Sequence, residues 1–289
     1  MRQVSSPVCR SCMSEKCAAL GNLPERTEFA GLALPKAIPG GSLYRCQDCG
    51  LVFRAPIMTT AEYGQLYAQA SANVWVTKSG ALRTDQSLVK AYIEGHLPDG
   101  ARVLDIGCYT GEFLSSLPAK YKKFGIEMSA SAAHHCKQSG INIIGGDLYQ
   151  LSLLEEKFDV VTAMDVIEHT LNPSQFLQSV LGILSDDGVI LITTGDSENR
   201  IWRKVKAAFW YCSFAEHISF ISEAWLQSNA TVNNYRIATL RRFKYENRNK
   251  LKTLAKLCFI YLSRIFGIQP KASWSAHVSA DHLFAALRK

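Results

Sequence analysis

No stretch of about 18 uncharged apolar residues occurs in this 289-residue chain, so no segment reads as a membrane-spanning helix. The opening MRQVSSPVCR lacks the apolar core of a secretory signal, and a cytoplasmic location is the expectation that follows. An even cysteine count is also missing. There are nine, four of them in two C-x-x-C pairs, which in a reducing compartment points to metal ligation more than to disulfides. Acid is scarce in the last third: residues 201–289 hold 15 Lys/Arg against 4 Asp/Glu, whereas 1–200 hold 17 against 21. A basic region of this kind suits a nucleic acid, an anionic membrane surface or an anionic substrate, or is simply a solvated face. What is present is ordinary globular material, 47% hydrophobic and 20% charged, enough for one α/β core with an appendage.

The appendage is residues 1–58. Cys9-Arg10-Ser11-Cys12 and Cys46-Gln47-Asp48-Cys49 form two short hooks, and Gly50 permits a sharp turn after the second. Each hook can place two thiolates on one ion, and together Cys9, Cys12, Cys46 and Cys49 complete the tetrahedral sulfur set that zinc prefers. Such a closed site has no open position for substrate, so the expected Zn2+ is structural. Pro24, Pro35, Pro39, Gly40 and Gly41 make the intervening stretch a loop or hairpin, and Cys17 is a spare thiol. Residues 59–98 have apolar positions at helical spacing (Tyr63, Leu66, Tyr67; Leu88, Val89, Tyr92, Ile93) and read as a helical connector or cap.

From 99 to 289 the pattern alternates: RVLDIG, GEFLSSL, KKFGIEM, SASAAHHCKQSG, INIIGGD, FDVVTAMDV, PSQFLQSVLGIL, GVILITTG. Short β-rich runs between helical segments predict an α/β fold with a doubly wound, mostly parallel, Rossmann-like sheet. In such sheets ligands bind beyond the carboxyl ends of the strands, and Asp105, Glu127, Asp147 and Asp165 place four acids along that crevice. The glycine loop GCYTG has Gly107 and Gly111 but Tyr109 between them. A dinucleotide pyrophosphate needs the backbone approach that three glycines give, so NAD is disfavoured. A cofactor without phosphates, such as S-adenosylmethionine (SAM), still needs the turn and the close helix packing.

VLDIGCYTGEF, GIEM, GGDL, FDVVTAMDVIEHTLNP and GVILITTG together resemble the motifs of class I SAM-dependent methyltransferases. The resemblance implies a seven-stranded sheet. YRIATLRRFKYE would be its sixth strand, and DHLFAALRK an antiparallel seventh at one edge. It implies that Glu127 holds the ribose hydroxyls, that Asp147 and the Leu148 backbone hold the adenine, and that Asp105 and Gly107 hold the methionine end. The family usually has glycine where Tyr109 stands. Residues 247–268 would be a helical insertion, packed on the domain or lying on an anionic membrane.

Methyl transfer to oxygen requires a proton acceptor. His217, in AEHISFIS after the fifth strand, is the expected base, with a packing histidine as the alternative. Asp165, Glu168 and His169 in MDVIEH could gather on one helical turn around Mg2+, or could merely orient the next helix. Trp202, Phe209, Trp210, Tyr211 and Phe214 beside Arg200, Arg203, Lys204 and Lys206 suit a sugar or glycan acceptor. RNA is the alternative acceptor, and a non-catalytic scaffold of the same fold is the alternative to an enzyme.

Overall fold

A computed structural model describes residues 7–69, 82–146, 148–245 and 279–289, with residues 255, 256, 258, 259 and 262. The expected insertion at 247–268, and any membrane contact through it, therefore lies outside the described residues but for those five, and Asp147 lies outside as well. No helix among the described residues is long and apolar enough to cross a membrane.

The hook segment folds as β1 (Cys17–Asn22), β2 (Arg26–Phe29), β3 (Leu32–Ile38), β4 (Ser42–Cys46) and β5 (Val52–Ala55). The stretch between the hooks is a hairpin in which β1 pairs antiparallel with β4, Cys17 opposite Cys46, and β2 with β3. The connector gives α1 (Thr60–Gln69) and α2 (Thr84–His96).

The alternating region follows as β6 (Arg102–Ile106), α3 (Glu112–Ser116), β7 (Lys122–Ile126), α4 (Ala130–Gln138), β8 (Asn142–Gly145), β9 (Phe158–Met164), α5 (Pro173–Gly182) and β10 (Leu184–Gly195). It ends with α6 (Arg200–Val205), β11 (Ser219–Phe220), α7 (Glu223–Asn233), β12 (Arg236–Phe243) and β13 (His282–Arg288). Helix starts follow local chemistry: Asn172 Oδ1 accepts from Ser174 N and Gln175 N, both at 3.1 Å, ahead of Pro173 in the first turn of α5, and Ser222 Oγ caps α7 at Trp225 N.

The seven-stranded sheet has the order β12-β13-β10-β9-β6-β7-β8. β13 runs antiparallel to both neighbours, as expected of the last strand, but it is interior; β12 takes the edge. The burial pattern supplies the reason. HLFAAL of β13 is continuously buried, whereas β12 exposes Arg236, Arg241 and Arg242, charges that an edge strand tolerates. The direction of winding reverses between β6 and β9, which opens the crevice beside β6.

Strand alternation divides the core. Leu104, Val161, Ile190 and Ile192 face one side, with Trp225 of α7 and with Leu51 and Phe53 of the hook segment packed there. Val103, Val160, Val189 and Leu191 face the other, against Val89 and Ile93 of α2. The hook segment thus shares a core with the sheet. It also shares backbone pairing: β11, from the loop after β10, adds antiparallel to β5. Arg10, between the first two cysteines, donates to Ile218 O at 2.7 Å and Arg54 O at 3.1 Å, while Trp225 Nε1 donates to Ser11 Oγ at 3.0 Å.

Candidate active site

The β6 strand ends in a loop held by backbone geometry. Gly107 (φ +72°), Tyr109 (φ +50°) and Gly111 (φ +79°) are all left-handed. A Cβ on Gly111 would stand 2.3 Å from Ile141 Cδ1 and 3.1 Å from Cys136 Sγ, so the glycine is required by the packing of α4 beneath the loop. Tyr109 keeps a conformation that a non-glycine residue rarely adopts. Its N–H donates to Glu127 Oε2 at 2.8 Å, and Ser129 N donates to Glu127 Oε1 at 2.7 Å. Each carboxylate oxygen keeps a lone pair for a further donor. Asp105 is buried and accepts from Thr162 Oγ1 at 2.6 Å; burial pushes its carboxyl up to about 7.

These residues line a cavity of about 310 Å³. Asp105, Gly107, Tyr109, Glu127 and Ser129 are on its wall, together with Ala30, Tyr63, Gly64 and Tyr67 from the hook segment and α1, and Arg83, Asp165 and His169. Tyr109 Oη, Thr110 Oγ1 and Asp165 Oδ1 are buried without a partner although they belong to the lining, so the wall presents polar atoms that a nucleoside carrying an amino acid can satisfy. Gly111 is in the loop but serves packing. Leu148 opens a 3-10 helix over residues 148–153.

His169, and not His217, is on the cavity wall. His217 is buried behind it, ring centroids 4.9 Å apart, with Nδ1 2.9 Å from Tyr211 O. His169 Nδ1 is 3.2 Å from Glu216 O and 2.9 Å from Tyr67 Oη. The Glu216 carbonyl only accepts, so that contact calls for a proton on Nδ1; the Tyr67 hydroxyl shares the same nitrogen, and the Asp165 backbone also faces the ring. Burial pulls the His169 imidazole down to about 4 and His217 well below the usual histidine range, so both rings are neutral at neutral pH.

Asp165, Glu168 and His169 do not gather as one helical face would gather them. Asp165 has φ +53°, and residues 167–169 form a 3-10 turn. Asp165 turns to Arg83, 3.5 Å away, and accepts from Tyr245 Oη at 3.1 Å. Glu168 points inward, accepting from Tyr211 Oη and from Thr194 Oγ1 at 2.9 Å; burial raises it to about 8. The ligand atoms that do come within 4.8 Å of one another belong to Glu168, His169 and His217. The expected aromatic platform is corrected in part, with Trp210 half-buried and Phe214 exposed. Trp202, Phe209 and Tyr211 are core, with Trp202 stacked on Phe209 at 4.7 Å, because large rings are buried more favourably against each other than displayed.

The hooks meet as their spacing implies. Cys9 Sγ is 3.6 Å from Cys49 Sγ, Cys12 Sγ is 3.5 Å from Cys46 Sγ, and all four lie within 4.8 Å of one another. Zn–S bonds of about 2.3 Å give a tetrahedron with edges of about 3.8 Å, so the set fits zinc. Cys17 Sγ instead approaches Ser14 O.

Sequence reasoning missed three wall residues. Arg83 pairs with Asp85 at 2.6 Å and is the cation on the lining. Its position just before a helix start, in RTDQ, carried no motif. Tyr67 was assigned only to packing, and His169 to a metal or to orienting the next helix.

A parallel sheet with an antiparallel β13, a glycine turn after β6 and an acid after β7 define a class I SAM-dependent methyltransferase. Residues 83–240, more than half of the chain, match the methyltransferase-domain family, and the chain belongs to it. A ubiquinone biosynthesis O-methyltransferase from Glaesserella parasuis serovar 5 (strain SH0165) is 35% identical over 109 residues, 33% of this chain and 45% of that one. A tRNA U34 carboxymethyltransferase from Desulfotalea psychrophila (strain LSv54 / DSM 12343) is 33% identical over 113 residues, 35% of each chain. The match spans about half the length, or less, of these curated relatives. A solved coclaurine N-methyltransferase with N-methylheliamine and SAH covers 80% of this chain and 79% of its own at 12% identity, with a TM-score of 0.48.

Proposed function

We propose that this methyltransferase transfers the SAM methyl group to a hydroxyl of a small acceptor, with His169 as the proton acceptor. The observation that carries the reading is His169 on the wall of the same cavity as the cofactor loop, its Nδ1 tied to Glu216 O. When bound, SAM supplies a sulfonium methyl that an acceptor oxygen attacks directly. Glu127 would hold the ribose hydroxyls, Asp105 and Gly107 the methionine end, and the Leu148 backbone with Asp147 the adenine. Arg83 and Asp165 would meet the polar groups between cofactor and acceptor. Tyr63 and Tyr67 would exclude water and bound the acceptor, and His169 Nε2 would take its proton as the C–O bond forms. His217 would act through His169, holding the ring in place.

A cavity of about 310 Å³, with α1 and the β2–β3 turn on its wall, favours a sugar-sized or phenol-sized acceptor over a polymer. The buried state of Trp202, Phe209 and Tyr211 removes the argument for a long glycan platform. RNA remains the comparison acceptor because of the basic C-terminal third. Zinc on Cys9, Cys12, Cys46 and Cys49 would be structural. The test is transfer from labelled SAM to small sugars, sugar nucleotides, phenols and total RNA. Label confined to RNA, with salt-sensitive binding, would overturn the small-acceptor reading.

A further inference from the structure

Two cysteines outside the hooks lie together under the cofactor loop. Cys108, between Gly107 and Tyr109, lines the cavity, and Cys136 is on α4. Their sulfurs are 3.9 Å apart and both side chains are buried. Cys136 is wedged against the loop from below: its thiol donates to Tyr109 O at 2.9 Å, and it fills the space where a Gly111 side chain would stand. Cys108 Sγ is pressed against β7, 2.4 Å from where a Cβ on Gly125 would be. The two sulfurs thus lie against the loop and the strand that carry the proposed cofactor contacts.

We propose that Cys108 and Cys136 form an oxidative modification site, in which a peroxide entering the cavity converts the pair to a disulfide and lowers cofactor affinity. The site is distinct from the zinc hooks and rests on the cavity being the cofactor site. The Cys108 sulfur attacks one peroxide oxygen; the S–O bond forms, the O–O bond breaks, and the departing hydroxide takes the thiol proton as water. The Cys136 sulfur attacks the resulting sulfenic sulfur; the S–S bond forms, the S–O bond breaks, and hydroxide leaves with the Cys136 proton as a second water. Two thiols lose two electrons and two protons, and hydrogen peroxide gains them.

Bond formation brings the sulfurs from 3.9 Å to about 2.05 Å. It also removes the thiol hydrogen that Tyr109 O accepts. Tyr109 N is the donor to Glu127, so the change at the thiol pair reaches the acid expected to hold ribose. Reducing conditions restore the open pair and the affinity.

The experiment treats zinc-loaded full-length protein with limiting hydrogen peroxide. It maps linked peptides by mass spectrometry and measures SAM binding by calorimetry before and after. The expected result is a Cys108–Cys136 link, formed more slowly with SAM present, and an affinity loss of about tenfold or more that dithiothreitol reverses. Cys136→Ser should give no link and stop at oxidised Cys108, whereas Cys108→Ser should keep, after peroxide, whatever affinity it has before. Linked protein that binds SAM as tightly as reduced protein, or oxidation confined to Cys9, Cys12, Cys46 and Cys49, would overturn the proposal. Reduced wild-type protein that binds no SAM would instead overturn the cofactor reading, and the peptide map would still judge the thiol pair.

Discussion

The N–H of Tyr109 and the carboxylate of Glu127 are joined at 2.8 Å, so the residue that replaces a loop glycine is anchored by the acid one strand away. Loop shape and the proposed ribose site are therefore one unit. Glu127→Ala should weaken SAM binding by about 2 kcal/mol, the range for hydrogen bonds to a charged group, and should loosen Tyr109 as well. Calorimetry on the variant checks this, and an unchanged affinity would remove Glu127 from the site.

His169 and His217 give separable outcomes. His169→Ala should lower turnover by about 100-fold or more with SAM affinity nearly unchanged, because the ring serves the acceptor. His217→Ala should lower turnover less, since His217 acts through its neighbour. Single-turnover rates on a hydroxyl acceptor decide the order, and a greater loss in His217→Ala would return the role of base to that residue.

The pH profile follows from burial. His169 is held down to about 4, so its neutral form is complete well below pH 6.5. The His169 contribution to turnover should be flat between about pH 6 and 8 and fall only toward acid, unlike that of a free imidazole, while a step near pH 7 in SAM affinity belongs to Asp105. Stability responds in the same direction: a neutral buried ring is favoured above the unfolded value near 6.5, and this contribution is lost as pH falls. A rise in turnover centred near pH 6.5 at saturating SAM, absent from His169→Ala, would contradict the shift.

Glu168 behaves oppositely. Its folded value, about 8, lies above the unfolded value of about 4.3, so the folded chain holds a proton that the unfolded chain has released. Its contribution to stability is fullest below about pH 4 and declines as pH rises through 8. Glu168→Gln should flatten that decline, which thermal melts of both proteins across pH 5–8 would reveal.

Purified protein should carry about one zinc per chain. Cys46→Ser should release it and lower the melting temperature. Arg10 and Arg54 connect the hook segment to the carbonyls of Cys212, Phe214, Ala215 and Ile218, so turnover should fall more than SAM affinity. Metal analysis by mass spectrometry alongside calorimetry checks both parts, and zinc-free protein prepared without chelator would exclude the site.

Hooks, strands and glycine turn were legible in the sequence because each is local. Two residues between cysteines fix how two thiolates meet one ion, and a buried parallel strand writes itself as a continuous apolar run such as GVILITT. The acid after β7 was legible for the same reason: a strand end has a definite place in a parallel sheet.

What the tertiary structure alone decided is which way side chains face once the chain leaves a regular element. The left-handed turn at Asp165 sends that acid to Arg83 and Tyr245 and sends Glu168 inward, so the spacing D-x-x-E-H, which would share a face on an α-helix, does not share one here. His169 reaches the cavity and His217 stands behind it because the loop before β11 is fixed by pairing with β5, about 170 residues away in sequence. The hook segment is part of the active-site architecture for the same reason. Its β11 pairing and its Arg10 contacts are long-range, and neither leaves a periodicity in the sequence to be read.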